Sequence, residues 1–230
     1  TLKWLNKMFQ PLKDTLPELI KGISKSKKYH WDLSPESQQN LCSKLLDEFG
    51  RDKDLVVVGK SPHPFSITLG PNDYRITTRI VEGEPLSSFL ATAHEWGHSI
   101  YEQGLPSQSH QWFAWPLGQA TSMGIHESQS LFWENRIVKS KSFSKRFFKK
   151  FVSAGCTLNN YFDLWKSINH LEAGLNRVEA DELTYGLHIL VRTELEIDLI
   201  EGGLPAEDIP TEWNKRYGEL LGIKPSNDSE

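Results

Sequence analysis

The run Phe89-Leu90-Ala91-Thr92-Ala93-His94-Glu95-Trp96-Gly97-His98-Ser99-Ile100-Tyr101 carries two histidines four positions apart in an apolar segment. No proline interrupts the chain between Pro85 and Gly104, and Ser87 and Ser88 offer hydroxyls to cap a helix start. Leu90, Ala93, Gly97, Ile100 and Tyr101 recur at helical spacing and make an apolar stripe beside the histidines. On a helix, residues four apart stand one above the other on the same face. Both imidazoles can therefore reach one metal ion, with the carboxylate of Glu95 close to a water bound there. His-Glu-x-x-His on a helix is the zinc-hydrolase arrangement, and it orders the reading of everything around it.

A catalytic zinc takes three protein ligands and a water. The third ligand must come from another segment. The run Gly124-Ile125-His126-Glu127-Ser128-Gln129-Ser130-Leu131-Phe132-Trp133-Glu134-Asn135 reads as a second helix, reached through a loop holding Gly104, Pro106, Pro116 and Gly118. Glu127 and His126 are both candidates there, and spacing alone leaves the choice open. Glu95 would take the proton of the nucleophilic water and return it to the leaving amine, work that needs a carboxylate held near the metal.

Outward from the two helices, the expected fold is mainly α. Leu2 to Ile23 is helical in spacing but carries Pro11 and Pro17, so it is expected to break in two. Ser34-Pro35-Glu36 starts a helix with a capping serine, a first-turn proline and an acid at the positive end; Gly50 stops it. The period changes between 51 and 82. Leu55–Val58, Phe65–Leu69 and Tyr74–Ile80 read as strands, with a turn at Gly70-Pro71-Asn72-Asp73. The expectation is a small antiparallel sheet beside the metal-binding helix, with an edge able to pair with an extended peptide. Further helices are expected at 85–103, about 117–136, about 141–175 with breaks, 179–201 and about 207–221. Residues 1–222 are taken as one catalytic-core domain and 223–230 as a polar tail.

Composition narrows the function classes. The chain has 230 residues, 38% apolar and 24% charged, enough for a substantial core. A net charge of −4 gives no reason to expect nucleic acid. The basic runs Lys21 to Lys28 and Lys139 to Lys150 read as solvated helix faces. Two cysteines, Cys42 and Cys156, exclude a disulfide framework and read as buried small residues in a reducing compartment, with the cytoplasm as the expected location. No run of about twenty apolar residues is present to span a membrane.

Taken together with further runs, the sequence resembles the Taq-type thermostable metallocarboxypeptidases. The matching runs are His63-Pro64-Phe65, Asp73-Tyr74-Arg75-Ile76-Thr77-Thr78-Arg79, His94 to His98 with Tyr101 to Pro106, His126-Glu127-Ser128-Gln129-Ser130 with Trp133-Glu134-Asn135, and Asn176 to Glu182 with Thr184-Tyr185 and Leu187-His188. Their order is the family's order. The resemblance implies a zincin-like helical fold, zinc as the metal (cobalt or another divalent ion serving in its place) held by His94, His98 and Glu127, and Glu95 as general base. It favours Glu127 over His126, which spacing could not do. It implies a peptide substrate with a free C-terminus, and relatives form dimers.

An exopeptidase must read that C-terminal carboxylate, and a guanidinium does so with two parallel hydrogen bonds. Arg177 and Arg75 lie in matched runs and are the candidates, each with a structural salt bridge as the plainer alternative: for Arg177, one to Glu179 or Asp181. Tyr185 and His188, three apart, are candidate donors to the oxyanion or else a core pair. Asp181 and Glu182 are candidate partners of the ligand histidines. The family is roughly twice this length, with a helical region before these motifs and a Gly-x-x-Gln-Asp-x-His-Trp motif after them. Residues 1–230 hold neither, so the chain reads as a partial core. The alternatives are an incomplete metal-binding fragment complemented by a second chain, and a zinc endopeptidase or oligopeptidase.

Overall fold

The structure, a computed structural model, describes residues 2–23, 29–106, 109 and 111–227. The end of the first basic run (24–28) and the last tail residues (228–230) lie outside the described residues. The chain divides into two compact units, one of residues 29–168 and one of residues 1–28 with 169–230.

The 29–168 unit opens on α2 (Pro35–Glu48), following α1 (Leu2–Ile23) of the other unit. The Ser34 hydroxyl accepts the backbone N–H of Ser37, as the Ser-Pro-Glu signature requires. Gly50, at φ +81°, takes the left-handed turn that ends it. Strands β1 (Val56–Lys60), β2 (Ser66–Gly70) and β3 (Asp73–Thr78) follow, in spatial order β1-β3-β2. The expected small sheet is present, and it is mixed. β2 and β3 form an antiparallel hairpin, whereas β1 lies parallel to β3. Local turn signals reveal the hairpin; the parallel pairing follows from β1 having to lay Val56 on the core beside Tyr74 and Ile76.

The metal-motif helix, α3 (Ser87–Gln103), packs on β3, β2 and α2. Trp96 anchors it, fully buried with Leu46, Val56, Tyr74 and Ile76. Nearer its start, along the same face, Phe89 and Ala93 join Leu41, Leu45, Phe147, Phe151 and Leu164 in a second cluster. Each such side chain, fully withdrawn from water, is worth roughly 1.5–3 kcal/mol if it is as large as Leu or Phe. The expected serine cap does not form: the α3 start has no side-chain cap. Ser88 is instead turned inward. Its hydroxyl donates to Gln38 Oε1 at 3.0 Å, and its carbonyl accepts from Thr78 Oγ1 at 3.0 Å and Thr92 Oγ1 at 2.7 Å. That network ties α3 to α2 and β3, and a buried hydroxyl is better satisfied there than spent on a cap.

The second site helix, α4 (Met123–Leu131), begins at Ser122, whose hydroxyl accepts the N–H of Ile125; the stretch from Pro116 to Gly118 is a separate 3₁₀ turn. Beyond Leu131 the helix widens into a π-turn over Phe132–Val138. Then come α5 (Lys141–Ser153), capped by Ser140, and α6 (Tyr161–Ile168). Part of the second basic run is paired: Arg146 and Lys150 both meet Glu48.

In the other unit, α1 runs unbroken through Pro11 and Pro17, against the expected break. The physical reason is burial. Phe9, Leu16 and Ile20 lie on one stripe and pack with Leu187, Leu190, Val191, Leu195, Tyr217 and Leu221 of α7 (Tyr185–Ile200) and α8 (Ile209–Leu220). Tertiary packing of that stripe outweighs the missing proline N–H groups. Helix α7 starts at Tyr185 rather than near 179, and Asp181 caps the turn that leads into it: its Oδ1 accepts the N–H groups of Leu183 and Thr184. Among the described residues no helix is long and apolar enough to cross a membrane.

Candidate metal centre

The site is built where α3 and α4 touch, and Gly97 sets how closely. A Cβ placed on Gly97 would stand 2.5 Å from Ser130 Cα and 2.7 Å from the Gln129 carbonyl oxygen. Those are backbone atoms of α4, which cannot swing aside. The residue just before His98 is therefore glycine, so that a second helix can approach the backbone of the first.

That approach brings Glu127 onto the histidine pair. Its Oε2 lies 3.7 Å from His94 Nε2 and 3.4 Å from His98 Nε2. One ligand atom from each of His94, His98 and Glu127 falls within 4.8 Å of the other two. Two imidazole nitrogens and a carboxylate oxygen suit a divalent ion of the zinc kind. The Nδ1 of His98 is buried without a hydrogen-bond partner among the described residues. The donor set fits the implied metal.

His126, the competing candidate by type, is occupied elsewhere. Its Nε2 pairs with Glu102 Oε1 at 2.8 Å, and its ring stacks on His98 with centroids 4.5 Å apart. From the sequence, Glu134 stands out only as part of a matched run. In the structure its Oε2 meets His94 Nδ1 at 3.0 Å, and its Oε1 meets Lys139 Nζ at 3.2 Å. Glu134 stands seven residues after Glu127, on the same side of the helix, which is the one signal the sequence offered.

The electrostatics follow from this crowding. Burial pushes the His94 pKa down, but the hydrogen bond and charge of Glu134, with Glu127 and Glu95 behind it, outweigh burial and leave it raised. Glu95 is buried at 7% exposure, and burial holds its carboxyl above the usual range, with His94 and His98 opposing and Glu127 and Glu134 adding. Burial alone would raise Glu127 and Glu134 too. A hydrogen bond from His98 and the charge of His94 bring Glu127 below its usual value, and the hydrogen bond from His94 with the charge of Lys139 does the same for Glu134. A base whose pKa is lifted toward neutrality is suited to exchange a proton.

The remaining candidates lie on other elements. Arg75, on β3, is bonded by two guanidinium nitrogens to Asp73, at 2.9 and 3.1 Å. Arg177 has no carboxylate within ion-pair distance among the described residues; its Nη1 donates to the Tyr185 hydroxyl at 3.0 Å. The fully buried His188 pairs its Nδ1 with the Tyr217 hydroxyl at 3.0 Å, and its Nε2 has no partner among the described residues. Asp181 spends its oxygens on backbone N–H groups of Glu172, Leu183 and Thr184.

Residues 1–230 match the carboxypeptidase Taq (M32) metallopeptidase family. The chain is 40% identical over 228 residues to thermostable carboxypeptidase 1 of Thermus thermophilus, covering 96% of this chain and 44% of that protein. It is 37% identical over 239 residues to carboxypeptidase 1 of Bacillus subtilis, covering 100% and 47%. The solved structure of Trypanosoma cruzi metallocarboxypeptidase 1 superposes with a TM-score of 0.87 at 32% identity, covering 97% of this chain and 48% of that one. The chain thus spans about half the length of the curated relatives it matches.

Proposed function

The chain belongs to the carboxypeptidase Taq (M32) metallopeptidase family, and on that premise we propose that it is the core of a metal-dependent carboxypeptidase. The single observation that carries the reading is the convergence of His94, His98 and Glu127 one residue away from the buried carboxylate of Glu95. His94, His98 and Glu127 hold a divalent ion, zinc before cobalt or another. When bound, the ion lowers the pKa of a water toward about 7 and polarises the scissile carbonyl. Glu95 accepts the water's proton and delivers it to the leaving amine. Its pKa, raised by burial, strengthens it as the acceptor of that proton.

The substrate in this reading is a peptide with a free C-terminus. Arg177 is the reader of its carboxylate, since it has no acidic partner among the described residues, whereas Arg75 is engaged by Asp73 and holds a lesser claim. The Tyr185 hydroxyl accepts from Arg177, so its own proton is left to donate, and with His188 Nε2 it is proposed for the oxyanion. Residues 1–222 working as one catalytic core, in the cytoplasm, with a second copy or a complementing chain as partner, belong to the same proposal.

The test is hydrolysis of a blocked dipeptide with a free C-terminus beside its amidated twin, with zinc or cobalt added. Cleavage of the free acid alone, with turnover in Glu95→Gln reduced by about 100-fold or more, supports the reading. Equal cleavage of the amide points to an endopeptidase. Turnover retained in Glu95→Gln removes the base.

A further inference from the structure

We propose that Glu134 is a positioning residue for His94, clamped by Lys139, and that it fixes His94 as a ligand through Nε2. This rests on the metal-site reading above and goes one shell beyond it. A neutral imidazole carries one N–H and one lone pair, and the partner of one nitrogen decides what the other can do. Glu134 Oε2 lies 3.0 Å from His94 Nδ1. A carboxylate can only accept there, so the proton sits on Nδ1 and the lone pair on Nε2. Nε2 is the nitrogen that faces Glu127 Oε2. Whenever His94 is neutral, Glu134 therefore favours the tautomer whose Nε2 lone pair is free for a metal.

The carboxylate is itself held. Lys139 Nζ takes its other oxygen at 3.2 Å, and the backbone N–H of Lys139 bonds to the carbonyl of Glu134 at 3.1 Å. That second bond spans five residues and belongs to the π-turn. The widened turn therefore joins the same two residues through backbone and side chains, and sets Glu134 opposite His94. Isolated π-turns inside α-helices are rare and tend to occur at functional positions. His98 lacks the equivalent: its Nδ1 has no partner among the described residues. The two histidines of the motif are unequal, and the support is concentrated on the first.

A second pair supplies the control. Glu102 makes an equally close bond to His126, at 2.8 Å, but to Nε2 of a residue outside the ligand group. The experiment compares the intact protein with Glu134→Gln, Lys139→Met, Glu102→Gln and Glu127→Ala. The readouts are the zinc dissociation constant by chelator competition, the visible spectrum of the cobalt form, and thermal unfolding without metal. Glu134→Gln is expected to weaken zinc about 10- to 100-fold and to change the cobalt spectrum. Lys139→Met is expected to do so less, and Glu102→Gln to leave the spectrum unchanged. Unchanged affinity and spectrum in Glu134→Gln, while Glu127→Ala loses the metal, overturns the positioning role alone. If the unmodified protein binds no zinc, the site reading falls with it. Should Glu134→Gln fail to fold, Lys139→Met decides: an unaltered affinity and spectrum there overturn the clamp.

Discussion

Two buried histidines, His94 in one compact unit and His188 in the other, meet opposite charges. In residues 29–168 the site histidines face carboxylates: His94 meets Glu134 and Glu127, and His126 meets Glu102. In the unit of residues 1–28 and 169–230, His188 faces a phenol, Tyr217, under the field of Arg192 and Arg177. The charges decide the outcome against a shared background of burial. Burial lowers the pKa of both; Glu134 reverses that for His94, while the arginines deepen it for His188. A region lined with carboxylates around neutral nitrogen donors suits a cation. A region whose Arg177 guanidinium has no carboxylate partner among the described residues suits an anion. The carboxypeptidase proposed above would draw on one of each.

The sharpest way to break the comparison is at the cation region. Glu127→Ala should take bound metal from one ion per chain to none after dialysis, measured by atomic absorption. His126→Ala, one residue away, should keep the ion, because its Nε2 is committed to Glu102. If the two variants lost metal equally, the assignment of Glu127 over its neighbour would fail. A smaller effect is expected at the anion region. Arg177→Ala should raise KM for free-acid peptides by about 10- to 100-fold, the worth of hydrogen bonds to a charged partner. Zinc content should stay the same. An unchanged KM would return Arg177 to a purely structural role with Tyr185.

The cation region was also the more legible one. His94, Glu95 and His98 could be read from spacing, because a helix puts positions four apart on one face whatever surrounds it. Glu127 could not be separated from His126 by spacing, since neighbours on a helix point about 100° apart and only Glu102 settles where His126 turns. Glu134 was hidden further, because its placement depends on a π-turn that no local preference announces. The same limit explains α1. Pro11 and Pro17 signal a break locally, but Phe9, Leu16 and Ile20 find a core only if the helix continues. The parallel β1–β3 pair is likewise set by the burial of Val56 and not by any turn. What the residues announce by themselves is local geometry; what they leave out is which partner each polar group meets.

The smallest expected effect is a pH dependence that belongs to the second region. The pKa of His188 is lowered in the fold, first by burial and then by Arg192 and Arg177, with Asp181 opposing. The unfolded chain therefore binds a proton that the folded chain refuses. Stability from this group is fully present above about pH 6.5, the unfolded value. It is lost as pH falls below that, through the window down to the folded pKa, with a slope of at most one proton. The groups facing His188 are Tyr217 from α8, Arg192 on its own helix, and Arg177 and Asp181 from the preceding turns. Thermal melts of metal-free protein in Glu127→Ala between pH 5 and 7.5 isolate this contribution from metal loss. The His188→Gln variant in the same background should flatten the acid-side slope even if it melts lower throughout. An equal slope with glutamine at 188 would assign the acid sensitivity to other groups and remove the electrostatic contrast between the two regions at its weaker end.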